Sequence, residues 1–213
     1  MTEATRAQLM NTGRRVFAQR GLDGARVDSI AKEAGVNKAL INYHFRGKSG
    51  LYRSVVSETF QSLGNQLERI LEATDDPAAR LMGWPQGIWE FLEDHPEFAP
   101  LFLRELMSDR PALSAEEFRG VGRSFALLAR TVSVGRKRGR IERVEPFPLG
   151  LLILGALLMA QISSPLRRSL EADLTRDQLA GARGAVLPLL QKMIADTLIE
   201  PSSGTWEAPG TGG

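Results

Sequence analysis

Apolar residues recur three and four positions apart along almost the whole chain, a spacing that predicts helices and no strand. Leu9, Val16 and Phe17 form the first such face. Thr5 with Gln8 makes a capping box ahead of it and Gly21 closes it, so a helix is expected to about residue 20. Two short helices are expected next, over 27–34 and 38–45, with Gly35 supplying the turn and Asn37 the N-cap. Ile30, Ala31, Ala34, Val36 and Ile41 are the contacts that would lock them together. A fourth helix starts at residues 47–49 and carries Leu51, Tyr52, Val55, Phe60, Leu63, Leu67 and Ile70, a strut of about 24 residues or ~36 Å.

Past a break at 73–77, Asp76 and Pro77 open a helix to about residue 94, with Leu81, Trp84, Ile88, Phe91 and Leu92 on one side and a kink at Pro85. The segment PEFAPLFLRELM runs to about residue 109, and Ser114 with Glu117 caps a long helix with Phe118, Val121, Phe125, Leu128 and Val132 inward. Residues 146–166 hold no charge at all. Thr175 with Gln178 begins the last helix, to about residue 200. The fold class expected is all-α, about nine helices. A helix-turn-helix domain is expected over 1–53, a helical body over 54–200, and a disordered tail over 201–213, where packing residues are scarce.

The 213 residues suffice for one or two domains with a core, and the absence of cysteine excludes disulfides and thiolate chemistry. The opening MTEATRAQ has no apolar run, so no secretory signal is expected and a cytoplasmic location fits. Charge is uneven. The first 53 residues carry ten Lys and Arg against four Asp and Glu, and the remainder 17 against 21, so a polyanion is the expected partner of the N-terminal module alone.

Residues 26–53 are therefore expected to dock on duplex DNA. At 100° per residue, Ile41 and Phe45 face inward, while Ala39 and Tyr43 face out beside Lys38, Leu40 and Asn42. That outward set suits a major groove. Asn42 can read an adenine edge, Ala39 or Leu40 can touch a thymine methyl, and Lys38 can reach guanine or phosphate. Arg26 and Asn37 flank this face, while Tyr43, His44 and Lys48 are expected on phosphates. The fragment Gly47-Lys48-Ser49 is no phosphate-binding P-loop, because position 42 is an asparagine inside a helix.

The run AxxAGVNKALINYHFRGKSGLY resembles the DNA-binding domain of the tetracycline-repressor (TetR) family of bacterial transcription regulators, over roughly the first 60 residues. The family often has Ser or Thr where this chain has Arg26 and Leu40, and an aromatic at Asn42, so no operator sequence carries over. The HP…FLREL segment and the apolar helix after it are similar to the CecR-type subgroup, without a ligand to transfer. The resemblance implies a homodimer paired through its last two helices on a palindromic operator, and an effector pocket in the body.

Trp84, Ile88, Phe91, Phe102, Arg104, Phe118 and Phe125 are the residues expected to line that pocket, for a small apolar or aromatic effector. The bland alternative is that the aromatics fill the core. Residues 146–166 approach a membrane span, but Gln161, Ser163, Ser164 and Pro165 in its last third favour a buried dimer helix and no membrane partner. GRKRGR at 135–140 is either a second nucleic-acid patch or, the reading favoured, a helix C-terminus. Two histidines and no supported catalytic constellation argue against an enzyme, and no cofactor is implied. A ligand-responsive repressor is the expected function. An effector-independent DNA-binding protein acting through protein partners is the alternative.

Overall fold

A computed structural model describes residues 3–108, 114, 118–163 and 182–200. Among these the chain forms nine helices: α1 (Glu3–Gly24), α2 (Val27–Glu33), α3 (Ala39–Phe45), α4 (Lys48–Glu72), α5 (Pro77–Asp94), α6 (Phe98–Leu106), α7 (Arg119–Lys137), α8 (Pro146–Ile162) and α9 (Ala182–Leu198). One isolated antiparallel bridge, Ile141 with Ile199, is the only β pairing among the described residues. The caps proposed at 175–178 and the tail at 201–213 lie outside them.

The chain divides into two compact units, residues 1–66 with 91–123, and residues 67–90 with 124–213. In the first, Leu9, Phe17, Ile30, Ile41, Leu51, Val55 and Phe60 are all sealed from solvent, each stabilising by roughly 1.5–3 kcal/mol through burial. Phe60 is the hub of an aromatic cluster, 5.4 Å from Phe98, 5.6 Å from Phe102 and 5.4 Å from Phe118. In the second, Leu81, Trp84, Leu128, Ile153 and Leu157 are buried, and α8 packs on α9.

Local rules set most helix ends. Gly21 breaks α1 with φ 67, where a helix end was expected, although hydrogen bonding resumes to Gly24. Thr5 lies inside α1 rather than capping it. Asp76 accepts from the amides of Ala78 and Ala79, the cap expected before Pro77. At the end of α7, Arg140 N–H reaches Gly135 O at 2.9 Å and Gly139 N–H reaches Arg136 O at 3.1 Å, with Gly139 at φ 61. This is a Schellman stop. The basic run 135–140 is thus a helix C-terminus, with Arg138 further tied to the carbonyl of Asp75.

The uncharged helix α8 has two faces. Ile153, Leu154, Leu157 and Leu158 are buried, whereas Phe147, Leu151, Leu152 and Met159 are at least half exposed. On α9, Leu189 and Met193 are exposed in the same way, one turn apart. Among the described residues no helix is long and apolar enough to cross a membrane.

Candidate nucleic-acid interface

Two short helices cannot hold each other by propensity alone, so their geometry depends on the turn and on burial. The turn between α2 and α3 is again a Schellman stop. Gly35 at φ 65 lets Val36 N–H reach Ala31 O at 3.0 Å and its own N–H reach Lys32 O at 3.1 Å. Ile30, Ala31, Ala34, Ile41 and Phe45 are buried beneath it, as their spacing predicts. Asn37 then caps α3, its Oδ1 accepting from Ala39 N–H at 2.8 Å. Ion pairs fasten the unit from outside: Arg14 with Glu58, Arg15 with Glu33 at 2.9 Å, and Lys38 with Asp28 at 3.1 Å.

On α3 the structure leaves Ala39, Asn42 and Tyr43 exposed together, Tyr43 to 69 %, with Leu40 half-buried beside them. Lys38 stands at the N-terminal end of this face, and its exposed pair with Asp28 is worth ~0.2–1 kcal/mol, weak enough to be exchanged for a phosphate. Arg26 is exposed at the N-cap of α2, with extended backbone and no side-chain capping bond. Asn37 uses its oxygen in the cap, and its Nδ2 is the donor it keeps for DNA.

Two residues depart from the expected picture. His44 sits between the rings of Tyr43 and Phe45, and its Nε2 is shut off from solvent without a hydrogen-bond partner among the described residues. It cannot offer that nitrogen to a phosphate in this rotamer. Lys48 Nζ donates to Ala25 O at 3.1 Å and to Asp23 O at 3.5 Å, which straps the start of α4 to the link between α1 and α2. Of its three N–H donors one is left for a phosphate.

The corner between α3 and α4 is the tightest in this unit. A Cβ at Gly50 would lie 1.7 Å from Phe45 O, so no other residue fits there. Arg46 takes the left-handed conformation, φ 59 and ψ 33, and is the only non-glycine residue to do so among those described. That conformation costs a side-chain-bearing residue roughly 1–2 kcal/mol. A cation at an exposed helix C-terminus returns about 0.3–1 kcal/mol. The sequence does not mark Arg46 for this conformation, because a glycine stands beside it at position 47.

The proposed effector residues fall in both units. In the second, Trp84 is fully buried with Nε1 donating to Ser124 O at 3.2 Å, Ile88 is buried, and Phe125 is half-buried at 5.8 Å from the Trp84 ring. In the first, Phe91 and Phe102 are buried and Phe118 half-buried, within the ring cluster around Phe60 and Phe98. Arg104 is not among the rings. It is exposed and donates to Gln19 O at 3.3 Å near the end of α1, where free helix carbonyls attract a cation. A groove of about 400 Å³ lies elsewhere, between Ala129, Val132, Arg136 and Pro146.

Residues 9–55 match the family model described as bacterial regulatory proteins, tetR family. The chain is 30 % identical over 155 residues to the HTH-type transcriptional repressor SCO4008 of Streptomyces coelicolor, covering 73 % of this chain and 77 % of that one. The chain belongs to the tetR family. The TetR likeness extends to YttP of Bacillus subtilis, a probable HTH-type transcriptional regulator by name, at 26 % identity over 78 % of this chain and 80 % of that one. The fold recurs in the Bacillus subtilis regulator FadR crystallised with stearoyl-CoA, with a TM-score of 0.65 at 19 % identity over 86 % of this chain and 96 % of that one. The hemolysin II regulator HlyIIR gives a TM-score of 0.65 at 24 % identity, over 89 % and 98 %. Like its named relatives, this TetR protein is a transcription regulator and not an enzyme.

Proposed function

We propose that the protein is a cytoplasmic homodimer that represses transcription from a palindromic operator and is released by a small apolar or aromatic effector. The observation that carries the DNA half is the exposed trio Ala39, Asn42 and Tyr43 on a short helix whose opposite side, Ile41 and Phe45, is clamped. A fixed helix with one free face of small, amide and phenolic groups is what major-groove readout needs. Two such helices on a two-fold axis reach successive grooves. Repression is favoured by the name of the relative from Streptomyces coelicolor. The decisive experiment is selection of duplexes from a random pool. Enrichment of one palindrome, bound by two chains, supports the proposal, and enrichment of nothing beyond bulk DNA defeats it.

The effector half rests on aromatic residues that reach from core to surface. Trp84 is buried, Phe125 lies 5.8 Å from it, and the exposed Phe147 lies 5.5 Å from Phe125. A flat apolar molecule entering there would take over ring contacts already present. Its binding should quench Trp84 emission and weaken operator binding by the factor that operator weakens its own. Trp84→Ala is a poor test, since emptying a sealed tryptophan site costs ~3–5 kcal/mol. Trp84→Phe keeps the ring packing and should lose the quench. The alternative, an effector-independent regulator, predicts no metabolite-sensitive operator affinity at all.

A further inference from the structure

Arg46 is the residue whose conformation the local chain does least to explain. Glycine is the usual occupant of a left-handed helix-end position, and here an arginine holds it at φ 59. Its backbone N–H still closes a helical bond to Asn42 O at 3.0 Å. Its Cα therefore stands in register one turn beyond Asn42 and Tyr43, at the C-terminal end of the proposed groove face. The side chain is exposed, and among the described residues no hydrogen bond, ion pair or ring contact engages the guanidinium. Elsewhere in this unit Arg14 and Arg15 are held in ion pairs, and Lys48 spends two of its three donors on carbonyls. Residues kept in a sparsely populated backbone region against a better-suited glycine concentrate where the side chain has work to do.

We propose that Arg46 is a DNA-phosphate anchor, clamping the backbone beyond the groove that α3 occupies. This rests on the DNA-binding reading above and adds to it a contact that neither the turn nor the helix pair requires. Recognition helices present base-reading residues towards their N-terminal ends, which leaves a cation at the far end facing the sugar-phosphate wall. A guanidinium grips a phosphate through two parallel N–H donors, so the contact fixes orientation as well as charge.

The test sets stability against binding in one variant. Arg46→Gly suits the left-handed backbone, so its melting temperature should stay level or rise by a few degrees. Its affinity for a labelled mixed-sequence 30-base-pair duplex should nonetheless fall about three- to tenfold, and the slope of log affinity against log salt should flatten by about 0.9 per bound chain. Arg46→Lys keeps the charge and should retain most of the slope. An Arg46→Gly protein with unchanged slope and affinity would show that Arg46 only ends a helix, and the proposal falls. A lowered melting temperature would overturn the claim that the side chain is held against backbone preference. Wild-type protein with no salt-dependent duplex binding would instead remove the DNA-binding reading on which all this stands.

Discussion

Asn42 and Tyr43 occupy the same exposed face of α3 yet should fail differently when changed. Asn42→Ala is expected to cost ~1–3 kcal/mol on the selected operator and little on a mixed-sequence duplex, because an amide recognises a base edge. Competition binding against both duplexes measures the difference, and an equal loss on both would put Asn42 on phosphate. Tyr52 offers a test of stability. Burial first, and then its 2.6 Å bond to Glu105, push its hydroxyl well above the ordinary value of 10.0. A group raised in the folded state contributes stability that is present below the unfolded value and lost as pH rises past it. Urea unfolding followed from neutral pH to beyond 10.0 should show that decline, and Tyr52→Phe should flatten it. At this scale the sequence showed Gly35 and Asn37 plainly, since each acts through a rule spanning a few neighbours. The strap from Lys48 was not visible. Its acceptors are backbone carbonyls 23 and 25 positions away, and every residue has a carbonyl.

Helices were legible as elements because their apolar spacing and caps are written locally, and α4, expected over about 24 residues, spans 25. How two helices approach each other was not. In the first unit α4 and α7 cross at a pair of glycines. A Cβ on Gly64 would lie 2.5 Å from Gly120 O, and one on Gly120 would lie 2.2 Å from Phe60 O. The sequence holds 21 glycines, and nothing in their spacing marks these two as a contact. Gly64→Ala should therefore destabilise by ~1–3 kcal/mol or more, since backbone and not a flexible side chain must yield. Chemical denaturation would register it. A neutral result would mean that the crossing slides apart at little cost. Arg104 teaches the same lesson from the other side. It was expected among the pocket residues, but only the packing of α1 on α6 shows that its guanidinium belongs to a helix end.

At the scale of the molecule, the sequence announced an uncharged helix without saying which side was covered. Hydropathy is the same all round α8, so only the fold separates buried Ile153 and Leu157 from exposed Leu152 and Met159. Gly155 lies on that open side with nothing within 4 Å of an added Cβ. Gly155→Arg should consequently leave the single chain folded while placing an uncompensated charge in the proposed subunit contact. Sedimentation should find a stable species of half the wild-type mass that no longer retains operator. A wild-type protein that already sediments as a monomer would defeat the proposal.

That open apolar stripe carries a consequence for how the protein would count itself. If two chains must meet there before an operator is held, dimer concentration varies with the square of free-chain concentration while most chains are single. Halving the number of copies then cuts the binding species about fourfold. Control of a promoter would follow a threshold in abundance. Dilution by growth in cell volume, with synthesis halted, would shift it with no effector present.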